Sequence, residues 1–211
     1  MKKLLLIIPI LLFCSIVNAQ PLIKTFIGGG VSLPNFKYSN NYGKTSYPRS
    51  INMGYTVGAF AKTSLFGSRT GMTFGLNYLQ AGAIDNAPLN PLYKETNVRL
   101  NYLQGEFYFS SDIKFIELCA GLYLSSALSG KKSITKADGT SSSSDIKFGI
   151  YSENGDEMHR TDMGFTLKTI INISKLKLML GYYKGFDNIS TVVEENVQNK
   201  VFTAGLAFPI F

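Results

Sequence analysis

The chain has 211 residues, enough for one domain, and its 20 glycines, 15 phenylalanines and 12 tyrosines favour strands and turns over helices. A formal charge of +7, gathered in no stripe or helix face, argues against a nucleic-acid partner. One histidine and, beyond the first twenty residues, one cysteine cannot make an ordinary zinc site without carboxylates, and no cofactor is expected.

The N-terminus reads as an export signal. Lys2 and Lys3 precede an apolar run from Leu4 to Val17, and Val17-Asn18-Ala19 supplies the small residues that a signal peptidase needs, so cleavage is expected between Ala19 and Gln20. The run is too short to span ~30 Å of hydrocarbon comfortably, which disfavours an anchor. A lipoprotein signal at Cys14 is disfavoured by Phe13, where a small residue is expected. The expected division is therefore a signal peptide at 1–19 and one domain at 20–211. The mature chain keeps 19 of the 21 basic residues against 14 acidic ones, a net +5 that suits anionic lipid head groups. Its single cysteine, Cys119, has no intramolecular partner.

Downstream, the dominant signal is alternation with period two. Eight segments carry it: Leu22–Leu33, Ile51–Thr63, Thr70–Gly82, Asn97–Phe109, Phe115–Leu128, Thr161–Ile173, Leu176–Tyr183 and Val197–Phe211. In the fifth, Ile116, Leu118, Ala120, Leu122, Leu124 and Leu128 oppose Glu117, Cys119, Gly121, Tyr123 and Ser125. In the sixth, Met163, Phe165, Leu167, Ile171 and Ile173 oppose Asp162, Gly164, Thr166, Lys168 and Asn172, with Ile170 the exception. The fourth breaks phase, because Val98, Leu100 and Tyr102 share parity with Gln104 and Glu106. A β-bulge near Leu103–Gly105 is expected to turn Glu106 inward.

The connections alternate in length. Leu65–Arg69, Ser110–Lys114 and Ser174–Lys175 are short, while Pro34–Ser50, Ala83–Thr96, Ser129–Glu157 and Asn188–Asn196 are longer. Short periplasmic turns, long outer loops and strands of about ten residues describe an all-β, eight-stranded antiparallel transmembrane barrel, an up-and-down meander closed by its first and last strands. A soluble β-sandwich also alternates. Against it stand a polar face rich in Gly, Asn, Thr and Tyr, aromatic residues near strand ends, and an apolar last strand ending in Phe211. Val57, Phe74, Leu122, Leu124, Phe165, Leu167, Leu178 and Leu180 are expected to face lipid.

The charged residues of the polar face are the candidate site. Glu106, Glu117, Lys168 and Lys177 are expected inside near the periplasmic end, with Arg99 and Asp162 higher up, and Glu117 close to Lys168. They could form a polar gate or a proton-linked path. The favoured reading is an ion-pair network that fills a lumen only wide enough for side chains. His159 lies near Ser141–Ser144, but nothing fixes a serine, a histidine and a carboxylate together, so no enzyme is expected. Lys131, Lys132, Lys136 and Lys147 make the longest loop basic and able to meet lipopolysaccharide phosphates. Gly28-Gly29-Gly30 opens no helix and reads as strand glycines, not as a phosphate cradle.

With these segments placed, a family resemblance emerges. Gly54–Phe60 followed by Gly71–Gly82 resembles the second hairpin of the PorT family of bacterial outer-membrane barrels. Leu100–Glu106 is similar to its tyrosine–leucine–acid strand, Cys119–Leu124 with Ser129–Lys131 to the next strand and its exit, and Gly181–Ser190 to the seventh strand and its loop. The resemblance implies a barrel in the outer membrane of a diderm bacterium and a tie to protein secretion across it. The expected role is structural or interactive, in a monomeric barrel touching outer-membrane lipids, lipopolysaccharide and proteins of an envelope or secretion complex. The competing role is a narrow conduit or binding barrel for a small or apolar solute.

Overall fold

The structure, a computed structural model, describes residues 23–40, 49–65, 69–86, 92–150, 155, 157–191 and 195–210. The expected signal peptide and its cleavage site lie outside them. Ten strands are described: β1 (Ile23–Asn40), β2 (Arg49–Ser50), β3 (Gly54–Leu65), β4 (Thr70–Asp85), β5 (Tyr93–Ile113), β6 (Ile116–Lys136), β7 (Ser141–Asp145), β8 (Thr161–Ile173), β9 (Leu176–Gly185) and β10 (Glu195–Pro209).

Eight of them close into an antiparallel ring. From β1 the ring runs through β3, β4, β5, β6, β8, β9 and β10, and β10 pairs with β1 from Phe26↔Pro209 to Asn40↔Glu195. Closure leaves none of these eight with a free edge in lipid, where unpaired backbone groups would cost several kcal/mol each. The short strands β2 and β7 extend the sheet from β4 and β6 respectively.

The strands run further than alternation suggested. β5 and β6 have 21 residues each, so much of Ala83–Thr96 and Ser129–Glu157 is paired strand and not open loop. At the other end the hairpins are tight. β5 meets β6 across Lys114–Phe115, and β8 meets β9 across Ser174–Lys175. Lys114 and Ser174 hold φ of 57° and 56° there, the positive-φ backbone that short hairpins require.

β5 corrects the expected bulge. Its register with β4 is unbroken from Thr70↔Ser111 to Asp85↔Thr96. Even-numbered residues face inward throughout, so Leu100, Tyr102, Gln104, Glu106 and Tyr108 are all buried. The ladder with β6 is irregular at two other places: Lys94 is an extra residue near the start of β5, and in β6 Ser129 pairs with Asn101 and Ala127 with Tyr102, leaving Leu128 as the extra residue. The expectation failed because it sent apolar Leu100 and Tyr102 to lipid, whereas the upper lumen has an apolar core of its own. Phe36, Leu79, Leu100, Tyr102, Ile189, Val197 and Val201 pack together there.

The outer wall is apolar. Val57, Phe74, Leu122, Leu124, Leu167 and Leu180 are exposed, while Phe165 and Leu178 are half-buried on the same wall.

Candidate functional site: the charged lumen

Strand parity sends polar side chains into the lumen, and they gather in three clusters along the barrel. The lowest lies by the tight turns. The Glu117 carboxylate accepts from Lys62 Nζ at 2.8 Å and faces Lys177 Nζ at 3.6 Å. Lys62 also meets Asp112 at 3.0 Å. Lys177 donates to Asn172 Oδ1 at 2.6 Å, and its ammonium sits 4.6 Å from the centre of the Phe26 ring. Cys119 Sγ lies 3.9 Å from Glu117 and is buried.

The middle cluster centres on Glu106. Its carboxylate pairs with Lys168 and accepts hydrogen bonds from Asn77, from Gln104 Nε2 at 2.8 Å and from Tyr183 OH at 2.8 Å. The side chains of Glu106 and Lys168 are 0% and 4% exposed, so both charges are removed from bulk water. Three rings surround the Lys168 ammonium, those of Phe60, Tyr108 and Tyr183, at 4.9, 5.0 and 5.4 Å. Their negative faces add to the carboxylate's attraction.

The upper cluster holds Asp162. It accepts from Tyr123 OH at 3.1 Å and from Asn199 Nδ2 at 2.9 Å, and Asn199 also donates to Tyr102 OH at 3.3 Å. Ser125 donates to Gln104 Oε1 at 3.0 Å, and Gln104 in turn donates to Glu106, which links a residue of the upper lumen to the middle cluster.

The lumen thus brings together five of the six sequence-derived candidates, but in other pairs. Glu117 and Lys168 are not partners. Glu117 pairs with Lys62 and Lys177, and Lys168 pairs with Glu106. The register explains it, since Lys168 stands opposite Cys119 and Glu117 stands opposite Ile170. Arg99 is a second correction. It stands on the outward, odd-numbered face of β5 and is exposed, because the phase of β5 does not shift between Thr96 and Ser111. Among the described residues Asp162 has no cationic partner within ion-pair distance.

Sequence reasoning missed Lys62, Asp112, Asn77, Gln104, Tyr123, Tyr183 and Asn199. One signal was available for Lys62, which shares parity with Gly58 and Phe60 on a strand whose other parity carries Val57 and Ala59.

The chemistry of this arrangement is the pairing of its lysines with Glu106 and Glu117, while Asn77 Oδ1, Asp162 Oδ1 and Asn199 Oδ1 have no hydrogen-bond partner among the described residues. Among the described residues, three voids along the lumen measure about 20, 20 and 10 Å³, each the size of a single water. No group of three or more His, Cys, Asp or Glu able to hold a metal occurs among the described residues. His159 makes no hydrogen bond to Ser141–Ser144 among them. Its backbone N–H bonds Ile189 O at 2.8 Å.

Similarities to known proteins complete the description. The fold is similar to Ail, the attachment invasion locus protein of Yersinia pestis, solved in complex with the heparin analogue sucrose octasulfate. Identity is 13% and the TM-score 0.46, over 88% of this chain and 99% of that one. It is also similar to Neisserial surface protein A, at 15% identity and a TM-score of 0.47, over 87% and 96% of the two chains. No curated protein sequence matches the chain. The family model described as outer membrane protein beta-barrel domain matches residues 18–191, most of the length. The chain therefore belongs to the outer membrane protein beta-barrel domain family, and it is an outer-membrane β-barrel protein.

Proposed function

We propose that the protein is a closed, non-catalytic barrel with a structural or interaction role in the cell envelope, as an accessory of a secretion or envelope complex of the kind its PorT-like segments suggest. One observation carries this reading. The Glu106 cluster spans the middle of the lumen, where Lys168 and three neutral donors from Asn77, Gln104 and Tyr183 converge on the Glu106 carboxylate. A buried charge network of this kind is retained only when its members are paired. Opening a path through it would separate them.

A plugged barrel does its work at its ends and its wall. The upper ends of β5 and β6, with β7, project from the loop end and carry Lys131, Lys132 and Lys136, which stand clear of the bilayer and suit contacts with lipopolysaccharide phosphates above the lipid A layer or with an envelope protein. In this reading the mature chain begins at Gln20, after export by its signal peptide, and the barrel is monomeric.

Reconstitution of the full chain into planar bilayers tests the closed lumen. No steady single-channel conductance is expected, and a large steady conductance would overturn the reading in favour of a conduit. Co-purification in mild detergent tests the accessory role, with envelope or secretion proteins expected to accompany the barrel.

A further inference from the structure

Lys184 of β9 and Lys200 of β10 are direct cross-strand partners. Both continue the outward parity of Tyr182 and Phe202, the next outward pair toward the tight turns. Lys200 also stands opposite Asn35 of β1, and exposed Lys37 is the next outward residue of that strand. None of the three lysines belongs to an ion pair among the described residues, and Asp187 beyond the end of β9 pairs with none of them. Like charges directly opposite on a sheet repel. Among the described residues the arrangement therefore holds positive charge without an acidic partner on the outer wall.

The height of the pair identifies its surroundings. Lys184 is eight residues from Leu176 at the Ser174–Lys175 turn, ~27 Å along a strand rising ~3.4 Å per residue. With a strand tilt of ~40° this is ~20 Å along the membrane normal, against an apolar band ~25 Å tall. Lysines there extend their ammonium groups into the head-group layer. Below and beside the pair lies a lipid-facing aromatic patch, with Phe165 directly opposite Lys184. Tyr182 and Phe202 have ring centres 4.7 Å apart, and Phe165 lies 6.0 Å from Tyr182 and 5.9 Å from Phe186. Lys184 Nζ sits 5.9 Å from the centre of the Phe165 ring.

A second outward pair, Arg99 and Lys131, lacks this setting. Lys131 is fifteen residues above Ile116, ~50 Å along its strand and clear of the bilayer, and it stands opposite Asp145.

We propose that Lys184 and Lys200, aided by Lys37 and Asn35, bind the phosphate of a phosphorylated lipid of the outer leaflet, whose acyl chains lie along Tyr182 and Phe202. The phosphate relieves the repulsion of the pair, lysine being a point-charge binder of phosphate. The site stands on the wall, so it does not depend on whether the lumen conducts.

The test uses the full chain in phosphatidylcholine nanodiscs containing increasing fractions of diphosphoryl lipid A, and reads the thermal unfolding midpoint. The midpoint of the unmodified protein is expected to rise with lipid A. K184Q/K200Q should need on the order of thirtyfold more lipid A for the same rise, each lysine near an anionic surface accounting for roughly a fivefold change. R99Q/K131Q should respond as the unmodified protein does. A full response by K184Q/K200Q, or its loss in R99Q/K131Q instead, would overturn the assignment. So would an equal rise from inorganic phosphate in nanodiscs without lipid A, which marks a simple anion site. Should the double variant fail to fold, K200Q is read in the same way, with an intermediate loss expected and an unchanged response counting against the site.

Discussion

Glu106 and Lys168 stand 62 residues apart on strands separated by β6, yet their side chains meet inside the barrel and form the most deeply buried ion pair among the described residues. The pair holds because neither group is left with a single partner. Glu106 also receives three neutral donors, and Lys168 is ringed by aromatic faces. Desolvating two charges costs several kcal/mol per ion, and this shell of donors and rings offsets that cost.

Removing one member should therefore cost more than removing both. Glu106→Gln leaves a buried ammonium without its carboxylate, a loss of about 3–5 kcal/mol. The double variant E106Q/K168M should be closer to the unmodified protein. Urea unfolding in detergent micelles measures both, and a double variant less stable than E106Q would show that the pair itself, not the stranded charge, is what matters.

The lower cluster should couple along the observed pairs. A double-mutant cycle between Glu117→Gln and Lys62→Met should give an interaction energy of about 1–3 kcal/mol, as residues in one ion-pair network do. The cycle between Glu117→Gln and Lys168→Met should give a smaller value. The reverse order would restore the pairing of Glu117 with Lys168 that sequence alone suggested.

Leu122 faces lipid at 54% exposure, six residues from the start of β6 and so close to mid-bilayer height. Leu122→Arg should cost about 2–4 kcal/mol of folding free energy in bilayers. Refolding into phosphatidylcholine vesicles reports it through the fraction reaching the folded form. Tyr123, one residue on, faces the lumen and should respond through its bond to Asp162 instead.

Gly164 sits where three elements converge. A Cβ there would lie 2.1 Å from Lys184 O and 2.7 Å from Tyr123 Cε1. The first contact is backbone of the neighbouring strand and cannot swing aside. Gly164→Ala should cost about 1–3 kcal/mol as an overpacking change. Thermal unfolding midpoints compare it with Gly105→Ala, where the same atom would meet nothing closer than 3.9 Å.

Period-two alternation determined the eight ring strands, their antiparallel order, the tight turns and the lipid face, because each is a local consequence of successive side chains pointing to opposite sides of a pleated strand. Leu122, Leu124, Leu167 and Leu180 could be placed outside from parity alone, as Glu117, Lys168 and Asp162 could be placed inside. Parity says which wall a residue faces but carries no information about which inward residues meet. That depends on register and on the reach of side chains across the lumen. The contact of Glu117 with Lys62 instead of Lys168 was therefore fixed only when the ring closed and brought β3 opposite β6. The same holds for Leu100 and Tyr102. Their apolar character read as lipid-facing, but in a closed barrel the inside is also removed from water, so hydrophobicity alone cannot separate bilayer from core. Only the unbroken register between β4 and β5 decided that these two residues, and not Arg99, fill the upper lumen.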